Sequence, residues 1–398
     1  MIKIKENLKE IVTLLFFVVL AFVFLSYKIT TVPPGINGDE SGIGYNAILM
    51  SRNLTDENNN FLPLFIFAKG SDWKQPISVY TTALMFKVFG SSFLILRVTS
   101  VLFVIVSIII LYFLTKEIFN FRFFVVSFLI LITTPIIIIQ SHLALENIAV
   151  LPFVLFWLLM LAKYEKNKKN IYLFLGGVSL GIGIFSYLGM RLAIPVLSLI
   201  TLIYLRNYLK KGVYFMLGVL PFFILLFIAN FYYPGAVVGH YEGGIQSIYD
   251  FLLRYLSIFD LSFLFLKGDI TPYHSTGKAG MFLIVILPIF LMGIFKILKD
   301  KKPFEILVLI SFFITPILFG LVPDIYRASR ILVLVPFFVI ISTIGFFTFN
   351  KKIRILILVL MSISTSFFVK DYWFDYPGRV KEIFSIPIDK TYEFRIKK

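Results

Sequence analysis

The 398-residue sequence has no cysteine, three histidines and only 22 acidic residues. The absence of cysteine excludes disulfides, thiolate metal sites and a cysteine nucleophile. Charged residues make up only 15% of the chain, whereas hydrophobic residues make up 59% and aromatic residues 18%. A soluble protein of this composition would leave a large apolar surface in water, so the composition predicts that lipid is the solvent for most of the chain.

The apolar segments are long and continuous rather than alternating, which indicates membrane helices and argues against a barrel. They lie at 11–27, 77–90, 93–115, 123–140, 147–162, 171–188, 192–205, 213–232, 279–298, 304–322, 331–349 and 353–369. The run at 77–90 would span about 21 Å as a helix, less than a hydrocarbon core of roughly 30 Å, so we interpret it as an interfacial or re-entrant helix. We therefore expect an all-α, polytopic integral membrane protein with about 11 transmembrane helices (about 11–13), plus juxtamembrane helices in the first outer loop.

Basic residues outnumber acidic ones and give a formal net charge of +16. The basic clusters fall in short loops between apolar runs, around Lys5, Lys116, Lys166, Lys210, Lys299 and Lys352. If the 77–90 run does not cross, all of these loops lie on one side, which the positive-inside rule assigns to the cytoplasm. The N-terminus is then cytoplasmic, and we expect a retained first helix because no small-residue cleavage site follows it. No basic and aromatic stripe accompanies the charge, so nucleic acid is not an expected partner.

The opposite, extracytoplasmic side carries the acidic stretch Asn37-Gly38-Asp39-Glu40. Asn37 can cap a helix that begins at the next residue, and acids in the first turn suit the helix dipole. An apolar stripe at helical spacing follows and consists of Ile43, Ala47, Met50 and Leu54. The two acids are therefore either a complement to the dipole on a solvated helix end or a functional carboxylate pair, and this segment alone favours neither.

Further ionisable residues face the same side. Glu146 lies at the lip of an apolar run, where a charge is costly unless it is solvated or partnered. The cations on or near this side are Lys74, Arg97, Arg191, Arg327 and Arg330. Snorkelling to headgroups is the ordinary explanation for any one of them. As a set they favour an anionic ligand such as phosphate, with which guanidinium and ammonium groups form charge-assisted bonds.

Several segments together resemble the GT-C glycosyltransferases, in particular the bacterial relatives of protein O-mannosyltransferases and of the aminoarabinose transferase of lipid A. The matching segments are GDE at 38–40, KQP at 74–76, TTALMFKVFGSSFLILRVTSVLF at 81–103, SHLALEN at 141–147, DIYRASRILVLVPFFVIIS at 324–342 and KDYWFDYPGRVKEIFS at 370–385. Their order and their common side carry the resemblance, since no single motif is specific. One departure is Ile77, which stands where those families have a second proline.

The resemblance implies transfer of a sugar, with inversion, from a polyprenyl-phosphate donor to a glycan, lipid or protein acceptor at the extracytoplasmic face of the cytoplasmic membrane. Asp39 matches the family's catalytic acid and would act as general base. Glu146 would orient the acceptor or Asp39, and Glu40 is a second candidate for either role. The residues expected to contact the donor phosphate are Lys74, Arg191, Arg327 and Arg330, and those expected to contact substrate are His142, Tyr273 and His274. No cofactor is expected, and a need for a divalent metal is left open.

The resemblance also implies one transmembrane GT-C-like catalytic domain over residues 1–370, followed by a short extracytoplasmic tail over 371–398. Within the domain, residues 33–92 are expected to form the first extracytoplasmic loop and residues 233–278 a long outer loop.

Two other classes of function are open to a membrane protein of this kind, and membrane lipids are partners in each. A transporter or lipid flippase would place ionisable residues near the midplane of its spans, and the apolar runs contain nearly none. A non-catalytic scaffold for cell-wall assembly would tolerate replacement of Asp39 by asparagine.

Overall fold

The computed structural model of the protein describes residues 2–68, 70, 72–206, 209–233, 235–237, 244 and 246–384. The helices of the first half are α1 (Ile2–Ser26), α2 (Gly38–Asn53), α3 (Pro76–Phe89), α4 (Phe93–Ile118), α5 (Phe121–Thr133), α6 (Pro135–Ser141), α7 (Val150–Asn167) and α8 (Asn170–Gly183). Those of the second half are α9 (Met190–Tyr204), α10 (Leu209–Tyr232), α11 (Ile248–Ser257), α12 (Leu287–Asp300), α13 (Pro303–Ile314), α14 (Ala328–Ile331), α15 (Val335–Phe346), α16 (Lys351–Lys370) and α17 (Tyr376–Arg379). Strands β1 (Ile66–Ala68) and β2 (Asp72–Lys74) form a small antiparallel hairpin.

Every apolar run of the sequence contains a helix, which confirms the all-α fold class. The short run at 77–90 is α3, a helix of 14 residues that begins with Pro76 at its first position. Proline suits that position because its missing N–H has no partner there in any case. The run at 123–140 is split into α5 and α6, with a bend of 63° at the break before Pro135.

Fewer helices of the described part of the chain qualify as candidate membrane spans, by length and composition, than the sequence predicts. Within the described ranges, six helices are long and apolar enough to cross a membrane, and seven if α5 and α6 count as one bent span. The shorter apolar helices are Glu10–Ser26, Pro76–Phe89, Asn170–Gly183 and Met190–Tyr204. The structure therefore does not confirm the expected count of about 11.

The helices form a bundle with a distinct centre and periphery. The span from Ala328 to Phe346, which contains α15, is 94% buried, whereas the spans containing α10 and α16 are only 28% and 22% buried. The outer helices instead expose large apolar side chains such as Phe227 and Phe367. Such an apolar surface is stable in contact with the hydrocarbon of a lipid bilayer.

Glycines allow the closest helix contacts in the bundle. Gly177 of α8 lies against the backbone of α10, and Gly218 of α10 lies against the backbone of α8. Gly293 of α12 and Gly345 of α15 form a second reciprocal pair. Small residues at such crossings let two backbones approach, which compensates for the weak hydrophobic driving force between helices in lipid.

The segment between α1 and α4 is a compact layer built from α2, the β1–β2 hairpin and α3. Three members of the predicted apolar stripe of α2, Ile43, Ala47 and Met50, are buried. Leu54 is 41% exposed, because it is the C-cap residue and turns away in a left-handed conformation with φ of 59°. The hairpin, which the sequence did not predict, pairs Ile66 with Lys74.

The other predicted segments are described in part. The 233–278 loop contains α11 and a π-helical turn at Ser262–Leu266, while residues 234, 238–243 and 245 lie outside the described part of the chain. The tail contains a π-helical turn at Asp371–Asp375 and α17, while residues 385–398 lie outside it. The division at residue 370 therefore stays a prediction.

We predict that Gly177→Ala destabilises the protein by about 1–3 kcal/mol, because the added methyl group would overlap the Phe215 carbonyl and force α8 and α10 apart. Thermal unfolding of the detergent-solubilised protein measures the effect. The matched control is Gly378→Ala, since a methyl group there meets no other atom within 4 Å. Equal melting temperatures for the two variants would contradict the role of close packing at this crossing.

Candidate active site

The start of α2 directs its two acidic residues in opposite directions. The Oδ1 atom of Asn37 accepts a hydrogen bond from the backbone N–H of Glu40 at 2.8 Å, and the Asn37 N–H donates to the Glu40 carboxylate at 3.3 Å. This capping box confirms the predicted cap and folds the Glu40 side chain back into the protein. Asp39, one residue earlier, has a side chain that is 61% exposed.

Glu40 forms a fully buried ion pair with Arg97 of α4. Arg97 Nε donates to Oε1 at 2.9 Å and a terminal nitrogen donates to Oε2 at 3.2 Å, with both side chains 0% exposed. The backbone N–H of Ala144 donates to the same carboxylate at 2.9 Å. A buried ion pair is stable only when its remaining donors and acceptors are also satisfied. Here Glu40 is occupied on both oxygens and does not line the cavity described below.

The other donors of Arg97 bind the connection between α1 and α2. They reach the carbonyl oxygens of Ile29 at 3.0 Å, Pro33 at 3.1 Å and Gly35 at 2.6 Å. One guanidinium therefore ties the approach to α2, the first turn of α2 and the helix α4 together. This arrangement fixes the position from which Asp39 projects.

Lys74, the last residue of β2, lies between two carboxylates. Its ammonium donates to Asp39 Oδ1 at 2.6 Å and to Asp72 Oδ2 at 2.5 Å. The lysine side chain is only 6% exposed, whereas those of Asp39 and Asp72 are 61% and 51% exposed. Burial works to lower the pKa of Lys74, but the surrounding carboxylates, Asp39 most strongly, raise it above its usual range. Lys74 is therefore a permanent cation at this place.

Glu146 lies in the turn between α6 and α7, close to the same lysine. Its carboxylate accepts a hydrogen bond from the backbone N–H of Gln75. Burial raises the pKa of Glu146 from 4.5 to about 7, against the opposing effect of the Lys74 charge. A carboxyl group with a pKa near neutrality can hold or release a proton under ordinary conditions.

These groups surround a cavity of about 240 Å³. It is lined by Asp39, Ile43, Asp72, Trp73, Lys74, Leu145, Glu146, Asn147, Tyr187, Leu188, His274 and Ser329. Four of the residues predicted from the sequence, Asp39, Lys74, Glu146 and His274, thus come together from separate parts of the chain. Sequence reasoning did not identify Asp72, Asn147, Tyr187 or Ser329 as lining residues. Asp72 could have been found from the sequence, because it lies in the same short segment as Lys74.

His274 reaches the cavity from the loop between α11 and α12. Its Nδ1 lies 2.8 Å from the side-chain nitrogen of Gln140 at the end of α6. Burial lowers the pKa of His274, an effect that the nearby carboxylates of Asp269 and Asp39 partly offset. Burial therefore favours the neutral ring, and an amide holds its orientation.

Asp269 joins two walls of the cavity. Its Oδ1 accepts hydrogen bonds from the backbone N–H and the hydroxyl of Thr271, both at 2.7 Å, and its Oδ2 accepts one from the N–H of Ala328 at 2.6 Å. The loop that carries His274 is thereby attached to the first residue of α14, the helix that carries Ser329.

Two of the expected substrate contacts lie away from the cavity. His142 is 0% exposed, its Nδ1 is 3.0 Å from the Val32 carbonyl, and burial lowers its pKa to about 3. The hydroxyl of Tyr273 donates to the Ile383 carbonyl at 3.4 Å. The structure thus places both side chains against neighbouring backbone, and their expected contact with substrate stays a prediction.

The three arginines expected to bind phosphate also lie outside the cavity lining. Arg191 is 9% exposed and donates to the carbonyls of Ala236 and Val237, and to the side-chain oxygen of Gln75 at 2.7 Å. Arg327 lies 3.6 Å from the Asp324 carboxylate, and Arg330 donates to the Asp324 carbonyl. Their expected role is therefore untested, and Lys74 is the cation that the structure brings to the cavity.

Within the described residues, no group of three or more His, Cys, Asp or Glu side chains has an arrangement that could hold a metal ion. Among the acids of the cavity, the position between Asp39 and Asp72 is occupied by the Lys74 ammonium.

The chain has a GT-C-like fold, as its likeness to solved membrane-protein structures shows. The family model described as dolichyl-phosphate-mannose-protein mannosyltransferase matches residues 74–233. The match begins at Lys74 of the cavity and covers Glu146 and Arg191, while Asp39 and His274 lie outside it.

The solved structures that resemble the chain include ArnT from Cupriavidus metallidurans. The apo structure of ArnT superposes with a TM-score of 0.65 at 13% sequence identity, over 96% of this chain and 74% of that chain. The structure of ArnT bound to undecaprenyl phosphate gives a TM-score of 0.64 at the same identity and coverage. No curated protein matches the sequence. The resemblance expected from the sequence is confirmed at the level of the fold.

We predict that Arg97→Leu lowers the free energy of unfolding by about 3–5 kcal/mol, because it leaves the Glu40 carboxylate buried without its partner. Thermal unfolding in detergent measures the loss. The control is Lys116→Leu, which breaks the pair with Glu10 at 2.6 Å, where both side chains are about half exposed. That variant should lose at most about 1 kcal/mol. A loss no larger for Arg97→Leu than for the control would contradict the structural role of the buried pair.

We predict that stability falls as the pH rises from about 4.5 to about 7, because the folded protein holds a proton on Glu146 more tightly than the unfolded chain does. The contribution is fully present below pH 4.5, where both states are protonated, and is lost as Glu146 ionises in the folded state. Melting temperatures across this range measure the slope. Glu146→Gln should flatten the slope relative to wild type, and Glu10→Gln, at an exposed position, should not. A wild-type slope that persists in Glu146→Gln would refute the assignment.

Proposed function

We propose that the protein is a membrane glycosyltransferase that moves a sugar from a polyprenyl-phosphate donor to an acceptor at the extracytoplasmic face, with Asp39 as general base. The observation that carries this proposal is the contact of 2.6 Å between the exposed Asp39 carboxylate and the buried Lys74 ammonium inside a cavity. A base and a fixed cation side by side are what nucleophilic displacement of a phosphate requires. The partial match to the mannosyltransferase family model and the shared fold with ArnT support the same class of reaction.

In the proposed reaction, Asp39 removes the proton from an acceptor hydroxyl or amine. The acceptor atom forms a bond to the anomeric carbon of the sugar while the bond from that carbon to the phosphate oxygen breaks, which inverts the configuration. The bonding electrons leave with the lipid phosphate, whose charge the Lys74 ammonium stabilises. The carboxylates that hold Lys74 are largely exposed, so a donor phosphate can reach the ammonium from the open side of the cavity.

The other acidic residues receive different roles. Glu146, half-buried with a pKa near neutrality, orients the acceptor through a hydrogen bond. We assign Glu40 to positioning, because it is fully buried and acts on Asp39 through the capping box and Arg97. Lys74 supplies the positive charge at the leaving group, so the proposal requires no metal ion.

A transporter is the alternative that the sequence left open, and the placement of charge argues against it. Among the described residues, the buried charged side chains within helices, such as Arg97, Arg191 and Glu305, lie in the first two turns of those helices. Conducting a substrate across the membrane calls for polar groups deeper in the bundle. The basic loops of the sequence support a cytoplasmic N-terminus, and we accordingly propose that the cavity opens on the extracytoplasmic side of the cytoplasmic membrane.

We predict that Asp39→Asn lowers sugar transfer by about 10²–10⁴-fold, since the amide cannot accept the acceptor's proton. The assay presents membranes with a panel of labelled polyprenyl-phosphate sugars and measures the label that leaves the donor. Adding EDTA in a parallel series decides whether a divalent metal is needed.

The matched control is Asp72→Asn, which removes the other carboxylate bound to Lys74 but leaves the base in place. Transfer should then persist within about tenfold of wild type, because only the charge balance around Lys74 changes. Full activity of Asp39→Asn, equal losses in both variants, or no transfer by wild type from any donor would overturn the proposal.

A further inference from the structure

A second cavity, of about 520 Å³, lies beside the loop that carries His274. Its walls are the C-terminal end of α16 with the turn after it, and the segment from Phe265 to Ile284. The loop between Lys267 and Gly280 thus contributes His274 to the candidate active site and Thr276 and Lys278 to this second cavity. The two cavities therefore share this loop as part of their walls.

One side of this cavity is apolar and uncovered. Phe367 is 70% exposed, Leu266 is 54% exposed and Ile284 is 47% exposed. They lie at the edge of the cavity next to α16. The span that contains α16 is only 22% buried. In a membrane this side meets hydrocarbon, so acyl chains are its natural contact.

The other side of the cavity is charged. Asp371 is engaged by Lys278 at 3.2 Å and by Arg379 at 2.7 Å. In the described part of the chain, Lys370 and Asp375 form no ion pair, although both line the cavity and both are exposed. The charge of Asp375 also acts on Arg379. The cavity thus presents one cation and one anion that lie outside the ion pairs of its charged end.

We propose that this cavity binds a zwitterionic phospholipid that carries an ammonium group in its headgroup, phosphatidylethanolamine being the simplest example. Lys370 binds the phosphate, Asp375 binds the ammonium, and the acyl chains lie along Phe367 and its apolar neighbours. Two lysines and two aspartates line the cavity, so a purely anionic headgroup would meet two carboxylates as well as the cations. A headgroup with both charges finds a partner for each.

The bound lipid would also affect the neighbouring candidate active site. Arg379 donates to the Thr276 carbonyl at 3.3 Å, and Lys278 bridges to Asp371, so the charged wall is already attached to the loop of His274. A bound headgroup adds contacts to that attachment. The proposal itself rests on the cavity alone and does not depend on the glycosyltransferase activity.

The experiment is native mass spectrometry of the detergent-purified protein after equilibration with equal amounts of phosphatidylethanolamine and phosphatidylglycerol that have the same acyl chains. Wild type should retain phosphatidylethanolamine over phosphatidylglycerol by about three- to fivefold, as expected for one additional exposed charge pair. Asp375→Lys should reverse the preference, since it removes the partner of the ammonium and adds a second site for an anion. The matched control is Lys351→Gln, an exposed lysine at the other end of α16, which should leave the preference unchanged.

Equal retention of both lipids by wild type, or an unchanged preference in Asp375→Lys, would overturn the proposal. A third arm adds undecaprenyl phosphate, and its displacement of phosphatidylethanolamine from wild type at equal concentration would assign the cavity to the polyprenyl phosphate instead. Melting temperatures of the variants confirm that each is folded, which is expected because Asp375 and Lys351 are both exposed.

Discussion

The buried ion pair between Glu40 and Arg97 is the interaction on which the rest of the candidate site depends. Removing two charges from water is costly, and it is offset here because every oxygen of the carboxylate and several donors of the guanidinium have partners. The partners come from the connection after α1, the start of α2, the helix α4 and the turn before α7. The pair therefore determines where the segment between α1 and α4 meets the bundle, and Asp39 takes its position from that junction.

The chemistry of the cavity follows from a shortage of positive charge. Lys74 faces three carboxylates, so its ammonium is shared among them. Burial raises the pKa of Glu146 to about 7, against the opposing effect of the lysine charge. A ligand that brings its own negative charge must displace a carboxylate from the lysine. The exposed members, Asp39 and Asp72, can turn towards water when this happens, whereas Glu146 is held by a backbone N–H. The cavity thus combines a fixed cation with two movable anions.

Much of this arrangement could be predicted from the sequence. The apolar runs located the helices, the capping pattern located the start of α2, and the side of the membrane shared by Asp39, Lys74 and Glu146 predicted that they meet. The separate roles of Asp39 and Glu40 could not be predicted, because they depend on a partner 57 residues away and on the direction in which a capping box turns a side chain. The partners of the arginines could not be predicted from the sequence either. Arg191 has a guanidinium group that suits phosphate, but only the fold reveals that backbone carbonyls and Gln75 engage it.

The attachment made by Asp269 has a mechanical consequence for the cavity. It joins the His274 loop to the start of α14, so we expect these two walls of the cavity to move together. The facing wall consists of the first turn of α2, which the buried pair of Glu40 and Arg97 anchors, and a hairpin with strands of three residues each. We expect the clearance for a bulky sugar to come from the Asp72 end of that hairpin. The residues proposed for catalysis and the histidine would then stand still.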